Sequence, residues 1–344
     1  MYGEDSVYPF MGNSLLQLPT TEDIGKKNLD FRFSHRFGDA STGIKDFFGL
    51  DKGANILLVL DYGLTQKWSA GISRASEGRT YEIRNKYKLF NQSLSFPFSI
   101  SLWGVVGQRT SEEVYSYGPY IIPNITTTQT NLQPLADVLN REYQTKLNQY
   151  TLSGSDKRSF MGAILISRKF TERFSLQVSP IFVHRNFVKY GLGNDRTGLD
   201  IGGRIKFSKR IDFTFEVIFT PHRDYIGQDR RILDQQDYGG FQNLTTQEIN
   251  SQYNQPQNLP YVYARNVLYD KPVPYSYIPF SIGLDIETGG HVFQLIVSNS
   301  TALAQTTLLN GANYNYANHQ FVLGFNIHRS FSFQSEPKFD DWKK

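Results

Sequence analysis

Residues 319–333 constrain the fold of this chain more than any other stretch. Phe321, Leu323, Phe325, Ile327, Phe331 and Phe333 fall at alternate positions, and Gln320, Gly324, Asn326, His328, Ser330 and Ser332 fill the positions between. Successive side chains on an extended strand point to opposite faces, so this is one strand of about fifteen residues with a greasy face and a wet face. A soluble sandwich strand alternates over about five or six residues only. A phenylalanine-rich face ending in aromatic rings is what a strand shows when it faces lipid with rings at the membrane–water boundary.

The same alternation recurs about twelve times. The segments are Leu29–Phe37, Ala54–Tyr62, Lys67–Ala75, Thr80–Phe90, Leu94–Gly107, Phe160–Phe170, Phe174–Phe187, Gly198–Lys209, Ile211–Thr220, Tyr275–Glu287, His291–Asn299 and the closing strand. Every even-numbered connection reads as a tight turn, and nearly every odd-numbered one is longer, with long loops at 108–159 and 221–274. An even number of strands with short turns at one end and long loops at the other is the layout of an outer-membrane barrel. The expected fold is therefore all-β, a single antiparallel transmembrane β-barrel of about twelve strands with short periplasmic turns and long outer loops. Residues 28–333 form the barrel, 334–344 a periplasmic tail, and 1–27 a periplasmic segment or a plug inside the lumen. Leucine and tyrosine at four-residue spacing admit a short helix within Leu132–Tyr150, and the prolines of 255–274 favour an irregular cap.

Composition excludes several classes. No run of eighteen apolar residues exists, which excludes a transmembrane helix but not barrel strands, where only every second residue is apolar. The chain has no cysteine, hence no disulfide framework and no thiolate metal site. A net charge of +4, dispersed along the chain, argues against nucleic acid. Met1–Asp5 lacks the basic and apolar regions of a signal peptide, so an exported chain is expected here in its mature form.

His35-Arg36-Phe37-Gly38-Asp39, followed by Asp46-Phe47-Phe48-Gly49-Leu50-Asp51, resembles an outer-membrane β-barrel family of Gram-negative bacteria whose members carry an HRFGD strand end and an FFGLD loop. The similarity continues through Leu60–Thr65, Gly71–Arg74 and Lys86–Lys88 and covers residues 20–335. The resemblance implies a fold and a bacterial outer-membrane location. It implies no activity and contributes no catalytic, cofactor-binding or metal-binding residues. Physically, Gly38 and Gly49 allow a sharp fold-back at the strand top. His35, Arg36, Phe37, Gly38, Asp39, Phe47, Phe48, Gly49 and Asp51 then form a loop-locking motif, with the two phenylalanines tucked into the mouth or dipped in lipid. Asp39 and Asp51 either cap turns or pair with Arg36.

The wet faces should line the lumen. That places Arg32, Arg36, Lys67, Glu82, Arg84, Lys86, Lys88, Arg185, Asp200, Arg204, Lys206 and Glu216 along the bore, with Arg84, Lys86 and Lys88 forming a basic ladder. Two readings stay open. One is a channel for small solutes with at most a mild anion preference set by the ladder. The other is a non-conducting structural or accessory barrel, its opposite charges interlocked, in a complex with other outer-membrane or periplasmic proteins. A barrel lipid hydrolase needs a His–Ser pair on the lipid-facing wall. Ser34 and His35 are adjacent and so point to opposite faces, and none of the six histidines falls in a metal motif. The chain is therefore read as a non-enzyme without cofactor, whose first partner is outer-membrane lipid.

Overall fold

The computed structural model describes residues 7, 9–10, 12–112, 114–116, 149–188, 193–221 and 276–333. Twelve strands close into one antiparallel barrel. In chain order they are β1 (Asn28–Asp39), β2 (Asn55–Gly63), β3 (Trp68–Ala75), β4 (Thr80–Phe90), β5 (Ser99–Arg109) and β6 (Arg158–Lys169). The second half comprises β7 (Phe174–Arg185), β8 (Asp195–Lys206), β9 (Ile211–Phe219), β10 (Phe280–Glu287), β11 (His291–Ser298) and β12 (Val322–Ser332). Each strand pairs with its sequence neighbours, and β1 closes the ring on β12 from Asn28 against Ser332 to Asp39 against Val322. Closure leaves no free strand edge, which is the condition for a sheet to sit in lipid. A short ribbon, Val114–Ser116 paired with Gln149–Thr151, stands outside the ring.

Register follows the alternation. Phe31, Phe33, Leu58, Leu60, Ile83, Ile164, Phe213, Phe215, Leu323 and Phe325 all lie on the outer wall, half-buried by their neighbours or exposed. The outward rings pack on one another across strands, as where His35 stacks on Phe325 at 5.4 Å between centroids. Their inward neighbours Arg32, Ser34, Arg36, Asn326 and Glu216 are buried. An antiparallel ladder alternates its connections between two ends. Both ends of the described chain and the connections β2–β3, β4–β5, β6–β7, β8–β9 and β10–β11 share the turn end. The connections containing 110–157 and 220–279 share the loop end.

Three local expectations change. The fifth strand starts at Ser99 rather than Leu94, so the β4–β5 connection is not a tight turn. Pro97 has no N–H for a ladder, and the Gln92 side chain substitutes, donating to the Lys169 carbonyl and accepting from its amide. The eighth strand begins at Asp195, three residues earlier than the pattern indicated, and ends at Lys206. The tenth begins at Phe280 rather than Tyr275. The helix expected within Leu132–Tyr150 lies outside the described residues apart from Gln149–Tyr150, which are strand. The proline-rich cap and the tail 334–344 lie outside them entirely.

Candidate functional site

The bore is the candidate site, and two segments of the chain fill it. The first is a finger formed by residues 9–10 and 12–24. Leu15 N–H donates to the Leu18 carbonyl and Thr20 N–H to the Asn13 carbonyl, so the backbone folds into a tight hairpin with Leu16 and Gln17 at its tip. Pro19 follows the tip, where its missing N–H costs no ladder bond. Both arms return to the turn end, and the second passes through Gly25–Lys27 into β1. The second segment is the β11–β12 connection, which folds inward from the loop end. Its residues Leu303, Ala304, Gln305, Thr306, Leu308 and Leu309 are buried.

The wall grips the finger mainly by its main chain. Glu216 on β9 accepts the Gln17 and Leu18 amides at 2.6 and 2.9 Å. Arg36 on β1 and Asn326 on β12 both donate to the Leu16 carbonyl, at 3.2 and 3.1 Å. Lower down, Gln177 on β7 donates to the Pro19 carbonyl and accepts the Thr21 amide. Lys86 on β4 donates to the Thr20 and Glu22 carbonyls, and Ser101 on β5 to that of Thr21. Hydrogen bonds to charged groups contribute roughly 1.5–3 kcal/mol each, so those to Glu216, Arg36 and Lys86 dominate the polar hold.

Apolar packing completes it. Leu18 is fully buried among Trp103, Val105, Met161, Leu165, Ile181, Val183 and Ile218 of the wall and Leu308 and Leu309 of the inward loop. Leu15 and Leu16 sit over glycines: a Cβ on Gly202 would lie 2.4 Å from Leu15 Cδ1, and one on Gly283 2.6 Å from Leu16 Cδ2. These glycines are holes in the wall into which leucine side chains project. The two fillers also meet, since Gln305 of the inward loop donates to the Gln17 carbonyl at 3.0 Å.

The inward loop is pinned to the wall in its own right. Thr306 donates its amide to Glu82, Arg196 donates to the Leu309 carbonyl, and Arg185 to Asn310. At the loop-end rim Glu77 accepts from Thr307. Burial raises the Glu77 carboxyl above its ordinary range, opposed by the nearby Arg109 charge.

The lumen residues read from the sequence divide as follows. Arg32, Arg36, Glu82, Arg84, Lys86, Lys88, Arg185, Asp200, Arg204 and Glu216 are buried in the bore. Lys206 is half-buried at the turn-end rim. Lys67 is a correction: it lies exposed in the β2–β3 turn, one residue before β3 begins, where no bore wall exists. The Arg84–Lys88 ladder is not an open row of cations. Arg84 forms an ion pair with Asp61 at 3.1 Å, Lys86 is taken by finger carbonyls, and Lys88 lies 3.7 and 3.8 Å from Glu22 and Asp23. Arg204 bridges Asp212 and Asp285. Arg32 Nε and Nη2 have no hydrogen-bond partner among the described residues.

The inner wall is also less wet than expected. Leu57, Val59, Trp103, Val105, Met161, Leu165, Ile181 and Val183 face inward, because the finger and loop supply apolar partners there. Arg196 was missed since the strand pattern was started after it. Gln177 and Gln294 occupy wet positions of β7 and β11 but carry no charge, and Gln17 and Gln305 lie outside any strand, so a bore read from its charged residues omits all four. At the turn end a cavity of about 150 Å³ remains, lined by Asn13, Ser14, Glu22, Asp30, Gln294 and His328.

The loop motif meets one of the two expectations for its aspartates, the turn cap, and its phenylalanines stay at the surface. Asp39 caps a short 3-10 segment by accepting the Ser41 amide, while Arg36 turns inward to Asn326 and the finger rather than to Asp39 or Asp51. Phe47 and Phe48 are 56 and 47 % exposed, not tucked into the mouth. Gly49 has φ +83°, and a Cβ there would lie 2.4 Å from the Gly38 carbonyl oxygen, so the fold-back requires glycine. His35 faces outward against Phe37 and Phe325.

A family profile described as a membrane-bound β-barrel domain matches residues 10–331. A comparison with curated protein sequences returned no match. Among solved structures, the NanC porin is 8 % identical, with 89 % of this chain and 100 % of that one covered and a TM-score of 0.43. The KdgM porin is 10 % identical over 88 % of this chain and 99 % of that one, with a TM-score of 0.40. An outer-membrane channel from Pseudomonas putida F1 is 10 % identical over 96 % and 99 % of the two chains, also with a TM-score of 0.40. At such values these likenesses carry no argument about what passes the bore.

Proposed function

The chain belongs to the family of membrane-bound β-barrel domains (DUF5777), and we propose that it is an outer-membrane channel for small solutes, closed by its own N-terminal finger. The observation that carries this reading is how the finger is attached. Its covalent link to the barrel is the short segment Gly25–Lys27, where Lys26 and Lys27 are exposed. It contributes no strand to the ring, which closes from β1 to β12 without it. Withdrawing the finger towards the turn end breaks no inter-strand bond of the barrel. We assign the turn end to the periplasm, because short turns and both ends of the described chain gather there.

With the finger out, Arg36, Arg84, Lys86 and Lys88 on β1 and β4 would face water, opposite Glu216, Asp212 and Asp285 on β9 and β10. Such a bore carries both signs, with Arg84 paired to Asp61 and Arg204 to Asp212 and Asp285, and has at most a mild anion preference. The closed bore equally supports a second reading, a permanently shut structural barrel. One cross-link separates them. Thr21 Oγ1 and Ser167 Oγ lie 2.5 Å apart, and the chain has no other thiol to interfere. The Thr21→Cys, Ser167→Cys double variant should be silent in planar bilayers when oxidised and show ohmic steps when reduced. Silence in both states supports the shut barrel.

A further inference from the structure

The bore binds the finger through groups that every peptide possesses. Ten hydrogen bonds join wall or inward-loop side chains to finger main-chain atoms between Leu16 and Glu22. Side-chain contacts from the finger are fewer and lie mostly at its edges: Ser14 to His328, Gln17 to Ser281, Thr21 to Ser167, and Glu22 and Asp23 to Lys88. The deepest side chains are three leucines, held by apolar surface and by the recesses over Gly202 and Gly283. Apolar surface discriminates weakly among aliphatic side chains, because it has no donor or acceptor that the wrong one leaves unpaired. Donors and acceptors set for amide N–H and C=O do discriminate, because a solute lacking those groups leaves buried Glu216, Arg36 and Gln177 unpaired.

We infer that the bore is a peptide-binding site, and that the solutes of this channel are short peptides bearing aliphatic side chains, for which the finger is the resident competitor. Glu216 takes two successive amides, Arg36 and Asn326 take the preceding carbonyl, and Gln177 takes one carbonyl and one amide further along. Trp103, Met161, Leu165 and Val183 receive the aliphatic side chain that Leu18 now supplies. The site is a geometric match to a main chain, with acceptors and donors supplied from several strands around the bore. The inference rests on the channel reading, because a solute reaches these groups only after the finger has left.

The test uses the full chain, folded first, with a specific protease site inserted after Gly25 and cut afterwards. Barrel assembly is followed by its heat-dependent gel mobility. Three fluorescent probes are then offered to the cut barrel: the peptide of residues 9–24, a shuffled peptide of equal composition that keeps leucines at the same positions, and the 9–24 peptide N-methylated at Gln17 and Leu18. The shuffled peptide should bind within about tenfold of the parent, and the methylated one at least about thirtyfold more weakly. A small sugar should not compete. If the shuffled peptide fails while the methylated one binds like the parent, the bore reads side chains and the inference is wrong. A cut barrel that releases its finger and conducts, yet takes up none of the peptides, overturns the peptide assignment and leaves the channel standing. A barrel that keeps its finger after cutting, with no exchange, overturns both.

Discussion

Truncating Leu18 to alanine should loosen the finger without touching the barrel. Leu18 is fully buried, and its partners come from β5, β6, β7, β9 and the inward loop, so the side chain closes one apolar cluster across the bore. Removing a buried leucine side chain costs about 2–5 kcal/mol, the larger values where the surroundings do not collapse. Most of the lining is on barrel strands that cannot move inward, while Leu308 and Leu309 belong to the loop and relax more easily. That places the cost near the middle, about 3 kcal/mol. At about 1.4 kcal/mol per tenfold, the docking equilibrium then shifts towards the withdrawn state by roughly a hundredfold. The assay is thiol labelling of a Thr21→Cys barrel with a charged reagent, since Thr21 is fully buried when the finger is docked. If withdrawal precedes labelling and redocking is fast, the labelling rate follows the withdrawn population. The Leu18→Ala, Thr21→Cys variant should label roughly a hundredfold faster than Thr21→Cys alone, with the same barrel melting temperature. A change below about threefold, or an equal loss of barrel stability, would show that the finger is part of the fold rather than a removable closure.

Further outcomes follow from the same geometry. Gly283→Val should raise Thr21→Cys labelling at least tenfold, because its Cβ meets Leu16 at 2.6 Å, while gel mobility of the assembled barrel stays unchanged. Phe325→Arg on the lipid face should cost about 2–4 kcal/mol in reversible unfolding, and Phe331→Arg nearer the rim less, so equal effects would contradict the assigned register. Glu77 supplies the pH dependence: burial raises its carboxyl, so packing of the inward loop is favoured while Glu77 is protonated. That contribution is full below the ordinary carboxylate range and is lost as pH rises through the raised value. Labelling of a Ser300→Cys variant should therefore speed up as pH rises through that window, relative to the same variant carrying Glu77→Gln, which should remove the dependence.

The amino-acid order alone determined the wall. Period-two alternation in segments such as 29–37 and 321–333 fixes which side chains face lipid, because a one-residue slip would turn every phenylalanine inward. Twelve such segments with short and long connections in turn leave a closed antiparallel ring as the arrangement without a free edge. The same logic placed Arg36, Arg84, Lys86 and Glu216 inside. It failed where alternation carries no information: Lys67 stands in a turn, Arg196 precedes the apolar pattern, and Pro97 shortens β5. What the bore contains was decided only by tertiary structure. Residues 9–24 and 300–312 have no strand period, and their partners lie up to 314 positions away, as between Ser14 and His328. Inward leucines and valines on β2, β5 and β7 look out of place in a wet lumen until the finger and loop are set against them. A strand's pattern reports the medium on each face. It cannot report whether the polar groups on its inner face meet water or the chain's own backbone, because both satisfy the same hydrogen bonds.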